Sequence, residues 1–418
     1  MDRSATAAPT RLGPLLRPLT EFCLDLHLHP EVSGQERRTS ERFARRLNDT
    51  GLRTSVGVGG HGVVGVLRNG DGPTVLVRAE LDALPVRERT GLPYASRGDA
   101  AHVCGHDLHL TAAAGAASLL AGSPESWRGT LIVVGQPAEE TLEGARAMLR
   151  DGLYERFGRP DHVVAQHAAP LPGGMVAHGY GPVTAGSVTF RIVVHGRGGH
   201  AGAPHLAVDP VVTAAHVVTR LQTVVAREAA PAEQVAVTVG LLRAGERANI
   251  VPDRAELGVT VRAVGEASLA RAAAAVERIV RAECAASGCP REPEIVRTSG
   301  SPVTHPDPGA TAAVREAHIA QFGPERVTMW PPSLATEDVA LFGDAGRELH
   351  GVEGIALVYW MLGTVGPAAW SRAPGASAAE KLAALPANHS PEFAPDLRAS
   401  LPTAVAALTT AVTRLTRP

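Results

Sequence analysis

The chain of 418 residues has few of the features that mark secreted, membrane or nucleic-acid-binding proteins. Its four cysteines include no CxxC pair, which excludes a disulfide framework and favours a reducing compartment. No apolar run reaches the ~20 residues of a transmembrane helix. Lys plus Arg (40) nearly balance Asp plus Glu (42), so nothing indicates binding to nucleic acid or an anionic membrane. The N-terminus lacks a secretory pattern, and we expect a cytoplasmic protein.

Alternating strand and helix signals predict an α/β catalytic domain whose mixed, mostly parallel sheet is flanked by helices. Apolar runs rich in β-branched residues alternate with helical stretches such as His106–Leu120. A chain of this length exceeds what one core usually serves, so two domains are expected. The catalytic domain is predicted in two parts, residues 1–184 and 300–418. Its last helix is expected from Asp396 to Leu415.

Residues 185–299 follow a different pattern, with the element order βαββαβ of a ferredoxin-like α+β domain. One helix is expected from Asp209 to Glu228, and we expect Ser268 to cap a second one that runs to about Ala286 and is stopped by Gly288. We interpret this segment as a domain inserted into the catalytic domain. Farther along, residues 366–379 read as a loop.

The stretch AHVCGHDLHL, residues 101–110, places Cys104 and His106 on either side of a glycine. A thiolate and an imidazole are good ligands for zinc and other late divalent metals, and glycine lets the backbone approach an ion closely. The same residues are compatible with a buried thiol beside a helix N-terminus. This motif alone leaves both interpretations open.

Two adjacent carboxylates, Glu139 and Glu140, follow the apolar run LIVV in the segment GQPAEE. Neighbouring carboxylates at a strand end are unfavourable unless water or cations surround them. One of the pair could ligate a metal while the other transfers protons. A solvated acidic loop is the alternative.

Further polar residues follow apolar runs elsewhere in the sequence. Asp82 and His167 are expected near the carboxyl ends of strands, where open α/β sheets build their sites, and His389 is expected in a loop before the last helix. Each histidine taken singly reads as structural or as a surface residue. Together they supply the scattered ligands of a dinuclear hydrolase, whose metals lie ~3.5–4 Å apart.

With these residues in place, the chain resembles the amidohydrolase branch of the aminoacylase and glutamate-carboxypeptidase-type metallopeptidase superfamily. That branch includes hippurate hydrolases and hydrolases of indole-acetyl amino-acid conjugates. The resemblance implies a sheet of the metal-dependent exopeptidase type. It runs through nearly the whole chain, in the ordered segments LHLHPEVSGQERRTS, VRAELDALPVRERTGLPYAS, AHVCGHDLH, GQPAEET, QHAAP, HGRGGHAGAPH, NIVPDRAEL, TEDVALF and NHSPEFAPD.

The resemblance implies a centre of two divalent metal ions, manganese or zinc, with cobalt and nickel as other candidates. Glu139 would be the general base, and Asp82 a carboxylate that orients the ligands. The implied metal ligands are Cys104, His106, Glu140, His167 and His389.

The resemblance also assigns roles to the inserted domain. His200 would act catalytically by stabilising the oxyanion, and Asn249 and Arg262 would bind substrate. The chain would form a homodimer through this domain, with His200 serving the site of the partner subunit. A surface turn or a solvated strand arginine remains the alternative for these three residues.

The implied reaction is cleavage of the amide bond of an N-acyl amino acid or related conjugate by water that the metals activate. A dipeptidase or carboxypeptidase would use the same site, and a non-catalytic metal-binding protein would be expected to lack a ligand or the base. The chain departs from the family's usual residues at a few positions, which we expect to affect the substrate more than the chemistry: Glu80, Thr141, Ala168, Ala169 and Val339.

Overall fold

The helices and strands follow one another in an α/β order that changes once, in the middle of the chain. The structure is a computed structural model that describes residues 7–417. Its α-helices are α1 (Ala7–Leu28), α2 (Arg37–Asn48), α3 (His106–Ala121), α4 (Gly144–Arg150), α5 (Leu153–Phe157), α6 (Pro210–Thr223), α7 (Glu266–Ala286), α8 (Pro308–Phe322), α9 (Arg347–His350), α10 (Pro367–Arg372), α11 (Ala378–Ala384) and α12 (Leu397–Leu415). Its strands are β1 (Arg53–Val58), β2 (Gly62–Asn69), β3 (Thr74–Glu80), β4 (Gly129–Gln136), β5 (His162–Pro172), β6 (Val176–His178), β7 (Thr184–His195), β8 (Gly199–His200), β9 (Val235–Ala244), β10 (Ile250–Val251), β11 (Arg254–Ala263), β12 (Glu294–Ser301), β13 (Val327–Met329), β14 (Ser333–Thr336) and β15 (Ala356–Val365).

The first compact unit, whose described part is residues 7–181, 305–331 and 338–417, is built on an eight-stranded sheet. The strand order is β1-β2-β4-β3-β5-β15-β6-β13, and the four central strands β4, β3, β5 and β15 are parallel. Such strands are covered on both faces, which explains the continuous apolar runs in the sequence. This mixed, mostly parallel sheet confirms the predicted fold class.

Helix α3 lies in the core of this unit, and its side chains are buried on nearly every face. An Ala-rich helix that is apolar all round is stable only when neighbours cover it, and here α1 and α12 pack against it. Asp396 caps α12, because its side chain accepts a hydrogen bond from the backbone N–H of Ala399. The core therefore fixes the start of α3, where the Cys-Gly-His motif lies.

The second compact unit comprises residues 182–304 and 332–337. Its elements follow the order βαββαβ, and β12, β7, β11 and β9 form an antiparallel sheet in that order. One face of the sheet is covered by α6 and α7, which share a core of aliphatic side chains with it. The short strand β14 adds to β7 from residues 333–336.

Local predictions were wrong at several places. Helix α7 begins at Glu266 rather than being capped by Ser268, whose hydroxyl instead bonds to Glu233. The extent of the helix expected from Asp209 to Glu228 is confirmed, because Asp209 caps α6 and a π-helical turn over residues 224–228 continues it. The segment expected to be a loop after Gly366 contains α10 and the start of α11.

Among the described residues, no helix combines the length and the apolar character that crossing a bilayer requires.

A pair of histidines is buried in the core of the first unit. His178 Nε2 lies 2.9 Å from His318 Nδ1, and His318 Nε2 donates to the carbonyl of Ala407 at 3.0 Å. Burial, with the neighbouring His318 and Arg315, lowers the pKa of His178 to about 2, and burial lowers the pKa of His318 to about 4. Both rings are therefore neutral in the folded protein near neutral pH.

We predict that this pair makes the first unit sensitive to acid. Below the ordinary histidine pKa of ~6.5, the unfolded chain binds protons that the folded pair excludes, so stability is lost as the pH falls. Each ring contributes a slope of about 1.4 kcal/mol per pH unit at most. The test is calorimetric unfolding of the metal-free protein between pH 8 and pH 5. His178→Leu/His318→Leu should show a weaker pH dependence than the wild type, and equal slopes would contradict the prediction.

Candidate metal centre

The donor side chains predicted from the sequence converge in the first unit. Cys104 Sγ lies 3.5 Å from His167 Nε2 and 3.4 Å from His389 Nε2. His389 Nε2 is also 3.4 Å from a carboxylate oxygen of Glu140. His106 Nε2 lies 3.8 Å from Glu140 and from Glu139. Residues that are up to 285 positions apart in sequence thus share one small volume.

Two groups of three donors meet at Cys104. In the group of Cys104, His106 and His167, one donor atom from each residue lies within 4.8 Å of the others, and the same holds for Cys104, Glu140 and His389. A single sulfur atom is common to both groups. These two overlapping groups bring together donors that would suit divalent cations.

The supporting strands explain this convergence. Asp82 follows β3 by two residues, and Glu139 follows β4 by three residues, so both come from parallel strands at the same edge of the sheet. His167 was expected at the end of a strand, but it lies in the middle of β5, which continues to Pro172. Strand β5 pairs with β3 only as far as Val164, so His167 lies beyond the point where these two strands separate.

Hydrogen bonds orient the imidazole rings toward the cluster. His106 Nδ1 donates to the backbone carbonyl of Asp82 at 2.9 Å, which leaves Nε2 buried and without a hydrogen-bond partner. His167 Nδ1 donates to the carbonyl of Ala168 at 2.9 Å. Nε2 of His106 therefore faces Glu139 and Glu140, and Nε2 of His167 faces Cys104 Sγ, as ligation of a metal through Nε2 requires. An unpartnered buried nitrogen inside a set of thiol, imidazole and carboxylate donors fits a divalent cation.

Asp82 and the loop after β4 are held together. One carboxylate oxygen of Asp82 accepts from the hydroxyl of Ser33 at 2.7 Å and from the backbone N–H of Glu140 at 2.9 Å. Burial opposes ionisation of this group, but the hydrogen bond and charge of His106 and the bond from Ser33 keep the pKa of Asp82 below its usual value. Asp82 thus positions both His106 and the Glu140 backbone.

Two further residues, which sequence reasoning missed, support the site. Glu36 is fully buried and accepts a hydrogen bond from the backbone N–H of Ala138, next to Glu139. Asn388 donates to the carbonyls of Cys104 and Ala168. Both lie in segments quoted above, SGQERRTS and NHSPEF, but their residue types read as helix start and loop.

A buried ionic network underlies the strands that carry the site. The guanidinium of Arg78 bonds to Glu80, to Gln136 Oε1 at 2.8 Å and to Asp338 at 3.0 Å. Glu80 also accepts from His109 Nδ1 at 2.7 Å. Burial opposes the charge of Glu80, but Arg78 and His109 hold the pKa of Glu80 well below its usual value.

The residues predicted for the inserted domain lie in the second unit. His200 and Asn249 come together where β8 pairs with β10, and the backbone N–H of Ala201 donates to Asn249 O at 3.2 Å. His200 Nδ1 accepts from the backbone N–H of Gly202 at 2.9 Å, so Nε2 carries the proton. Arg262 is half-buried on β11 and donates to the carbonyl of Leu334 at 2.9 Å.

Residues that depart from the family pattern are mostly buried. Ala168, Ala169, Val339 and Glu80 lie in the interior, and only Thr141 is exposed. Ala168 packs in a small apolar cluster with Ala101, Val103 and Phe393. Four of these five departures therefore lie in the interior, where they affect packing and internal hydrogen bonds.

Comparison with known proteins gives consistent matches along the chain. Residues 76–371 match the model of peptidase family M20/M25/M40. Hippurate hydrolase of Campylobacter jejuni is 34% identical over 321 residues, covering 76% of this chain and 82% of that protein. Thermostable carboxypeptidase 2 of Saccharolobus solfataricus is 32% identical over 323 residues, covering 76% of this chain and 80% of that protein.

A solved structure is similar over nearly the whole chain. The crystal structure of the YXEP protein of Bacillus subtilis, described as a dinuclear metal binding peptidase from the M20 family, is 26% identical. It covers 97% of this chain and 99% of its own, with a TM-score of 0.74.

We predict that Gly105→Ala disrupts the cluster. Gly105 has φ +86, and a Cβ there would lie 2.8 Å from the Cβ of Ala168. Gly91 is the matched control, because it has φ +70 and no atom within 4 Å of an added Cβ. The left-handed conformation costs either alanine about 1–2 kcal/mol. Gly105→Ala should in addition lower the amount of bound metal, measured by elemental analysis. It should also lower the melting temperature more than Gly91→Ala does. Equal results for the two variants would contradict this.

Proposed function

Because the chain belongs to peptidase family M20/M25/M40, we propose that it is a metal-dependent amidohydrolase that cleaves the amide bond of an N-acyl amino acid or related conjugate. The observation that carries the proposal is the shared position of Cys104 in two groups of donor atoms, with Glu139 beside His106. The likeness to hippurate hydrolase supports the substrate class.

We propose that Cys104, His106, Glu140, His167 and His389 would together hold two divalent ions. When bound, two such ions lower the pKa of a water molecule and polarise the carbonyl of the amide. The two ions are proposed to be manganese or zinc, because thiolate and imidazole suit zinc and carboxylate suits manganese. Cobalt and nickel are the other candidates. The two-metal description of the YXEP protein supports the count.

Glu139 is the proposed general base. It is nearly buried and lies in a strained loop in which Ala138 and Leu142 both have positive φ. Such strain is tolerated where the surrounding structure fixes it, and here Glu36 and Asp82 bond the flanking N–H groups of Ala138 and Glu140. Glu139 takes a proton from the attacking water and passes it to the departing amine.

Groups in the second unit are proposed to recognise the rest of the substrate. His200 presents an Nε2–H donor for the developing oxyanion, and Asn249 lies beside it. Arg262 is proposed to pair with the substrate carboxylate, since a planar guanidinium suits bidentate recognition. The segments GGHAGAPH and NIVPDRAEL resemble motifs of the family, and this resemblance supports these roles.

A carboxypeptidase or dipeptidase activity at the same site is the second candidate, favoured by the likeness to thermostable carboxypeptidase 2. A screen of N-acyl amino acids against dipeptides, with metal-stripped enzyme reloaded with manganese, zinc, cobalt or nickel, separates the two. We expect faster turnover of the N-acyl amino acids. A clear preference for dipeptides would instead select the second candidate.

The chain is further proposed to be a homodimer through the second unit. Val211 and Val212 on α6 and Leu242 on β9 are exposed apolar side chains, and β9 pairs with β11 alone among the described strands. An exposed strand edge beside apolar residues supports association with a second copy. Sedimentation velocity that finds only monomer at micromolar concentration would oppose it.

A cytoplasmic location is proposed from the thiols. Cys23, Cys104, Cys284 and Cys289 are free, which is typical of a reducing compartment. Recovery of the native protein with oxidised cysteines would oppose it.

We predict that Glu139→Gln keeps both metals and lowers kcat by about 10²–10⁴-fold, because the glutamine side chain cannot take up a proton. Glu143→Gln is the control, since this exposed glutamate lies in the same loop before α4. The measurements are metal content by elemental analysis and steady-state kinetics. Near-normal turnover of the Glu139 variant with full metal occupancy would refute its role.

We predict that Arg262→Ala raises KM for N-acyl amino acids by about 10- to 100-fold, as expected for loss of a hydrogen bond to a charged group. The corresponding carboxamides, which lack the negative charge, should be affected far less. Arg254→Ala is the control, because Arg254 is exposed on the same strand. An equal effect on acids and carboxamides would show that Arg262 acts on folding and not on the carboxylate.

A further inference from the structure

Asn388 directly precedes His389, and its side chain contacts the two chain segments that carry Cys104 and His167. Its amide nitrogen Nδ2 is 3.0 Å from the carbonyl oxygen of Ala168, 3.3 Å from that of Cys104 and 3.8 Å from Cys104 Sγ. We propose that Asn388 is a positioning residue for the metal centre, because its side-chain amide holds the His389 loop in register with the other two segments. The inference rests on the proposed metal site.

The first link fixes the ring of His167. The carbonyl of Ala168 accepts from His167 Nδ1 at 2.9 Å and from Asn388, so one oxygen atom orients the ring and anchors the loop. The N–H of the same residue donates to His109 Nε2 at 2.8 Å. Residue 168 is therefore held through both its N–H and its carbonyl, and Asn388 extends this fixed point to the loop. Hydrogen bonds of this kind usually set the direction of a ligand's lone pair.

The second link concerns the backbone of His389. Its φ is +71, a left-handed conformation that is unfavourable for a residue other than glycine. The side chain of His389 is 55% exposed, so packing alone does not fix its direction. The backbone N–H donates to Val103 O at 2.8 Å, and Asn388 bonds to Cys104 O one residue farther along. These two bonds hold the strained residue against the Cys104 segment.

The chemistry of position 388 requires a donor. All three groups near Nδ2 are acceptors or carry negative charge: two carbonyl oxygens, and a sulfur that a divalent cation would hold as thiolate. An aspartate has nearly the same shape but offers oxygen atoms only. It would repel the carbonyls and the thiolate at the same distances, so Asn388→Asp reverses the interaction without changing the volume.

The experiment compares cobalt binding by metal-free wild type, Asn388→Ala, Asn388→Asp and Ser390→Ala. Ser390 is the control, because it lies in the same loop and both hydrogen bonds of its hydroxyl are with Glu392. Cobalt(II) is titrated against a competing chelator, and the near-ultraviolet absorption from thiolate to cobalt reports the Cys104 bond. Circular dichroism of each metal-free variant checks its folding.

We expect the dissociation constant for cobalt to rise about 10- to 100-fold in Asn388→Ala, as for loss of an outer partner of a metal ligand. Asn388→Asp should be affected more, with a weaker thiolate absorption, and Ser390→Ala should match the wild type. If the alanine variant does not fold, the aspartate variant decides. Wild-type affinity and spectrum in a folded Asn388 variant would overturn the inference. A wild type that binds no cobalt would instead overturn the proposed metal site.

Discussion

Burial of several donor groups in one place is the constraint on which the site depends. Cys104 is 6% exposed, His106 is fully buried and Glu139 is 5% exposed. Burial raises the pKa of the Cys104 thiol to about 12 and, with His109, lowers the pKa of His167 to about 3. At His106 burial opposes the charge, but Cys104 and the hydrogen bond to Asp82 raise the pKa well above its usual value. The protein therefore keeps His167 in the neutral form that a cation binds, and it keeps the thiol protonated. Metal binding must release that proton, so affinity falls as the pH falls.

Buried ion pairs and hydrogen bonds hold in place the strands that support this cluster. The guanidinium of Arg78 pairs with both Glu80 and Asp338, and Gln136 bonds to Asp338, so the network joins β3 to β4, the strands that lead to Asp82 and Glu139. Replacing one member would leave the others buried and uncompensated, which costs more than the network contributes as a whole. The network also ties the two strand ends to each other through Asp338.

The sequence predicted the elements whose signals are local. The apolar runs of β4 and β5, the Ala-rich α3, and α12 after its Asp396 cap follow from patterns that span a few turns or residues. The predictions failed where partners are distant. Ser268 resembles an N-cap, but Glu233 takes its hydroxyl, and the return of residues 332–337 to the second unit depends on pairing with β7. Asn388 could not be recognised, because its acceptors lie 220 and 284 positions away.

The site prediction rested on a family resemblance because residue types alone left each motif open. What the resemblance could not supply is the reason for the small residue at position 168. Ala168 meets Gly105 on one side and Phe393 on another, and Phe393 belongs to the loop that bears His389. A larger side chain there would need space that the loop now occupies and would move Asn388 away from the carbonyl it binds. The alanine is thus matched to the position of the loop.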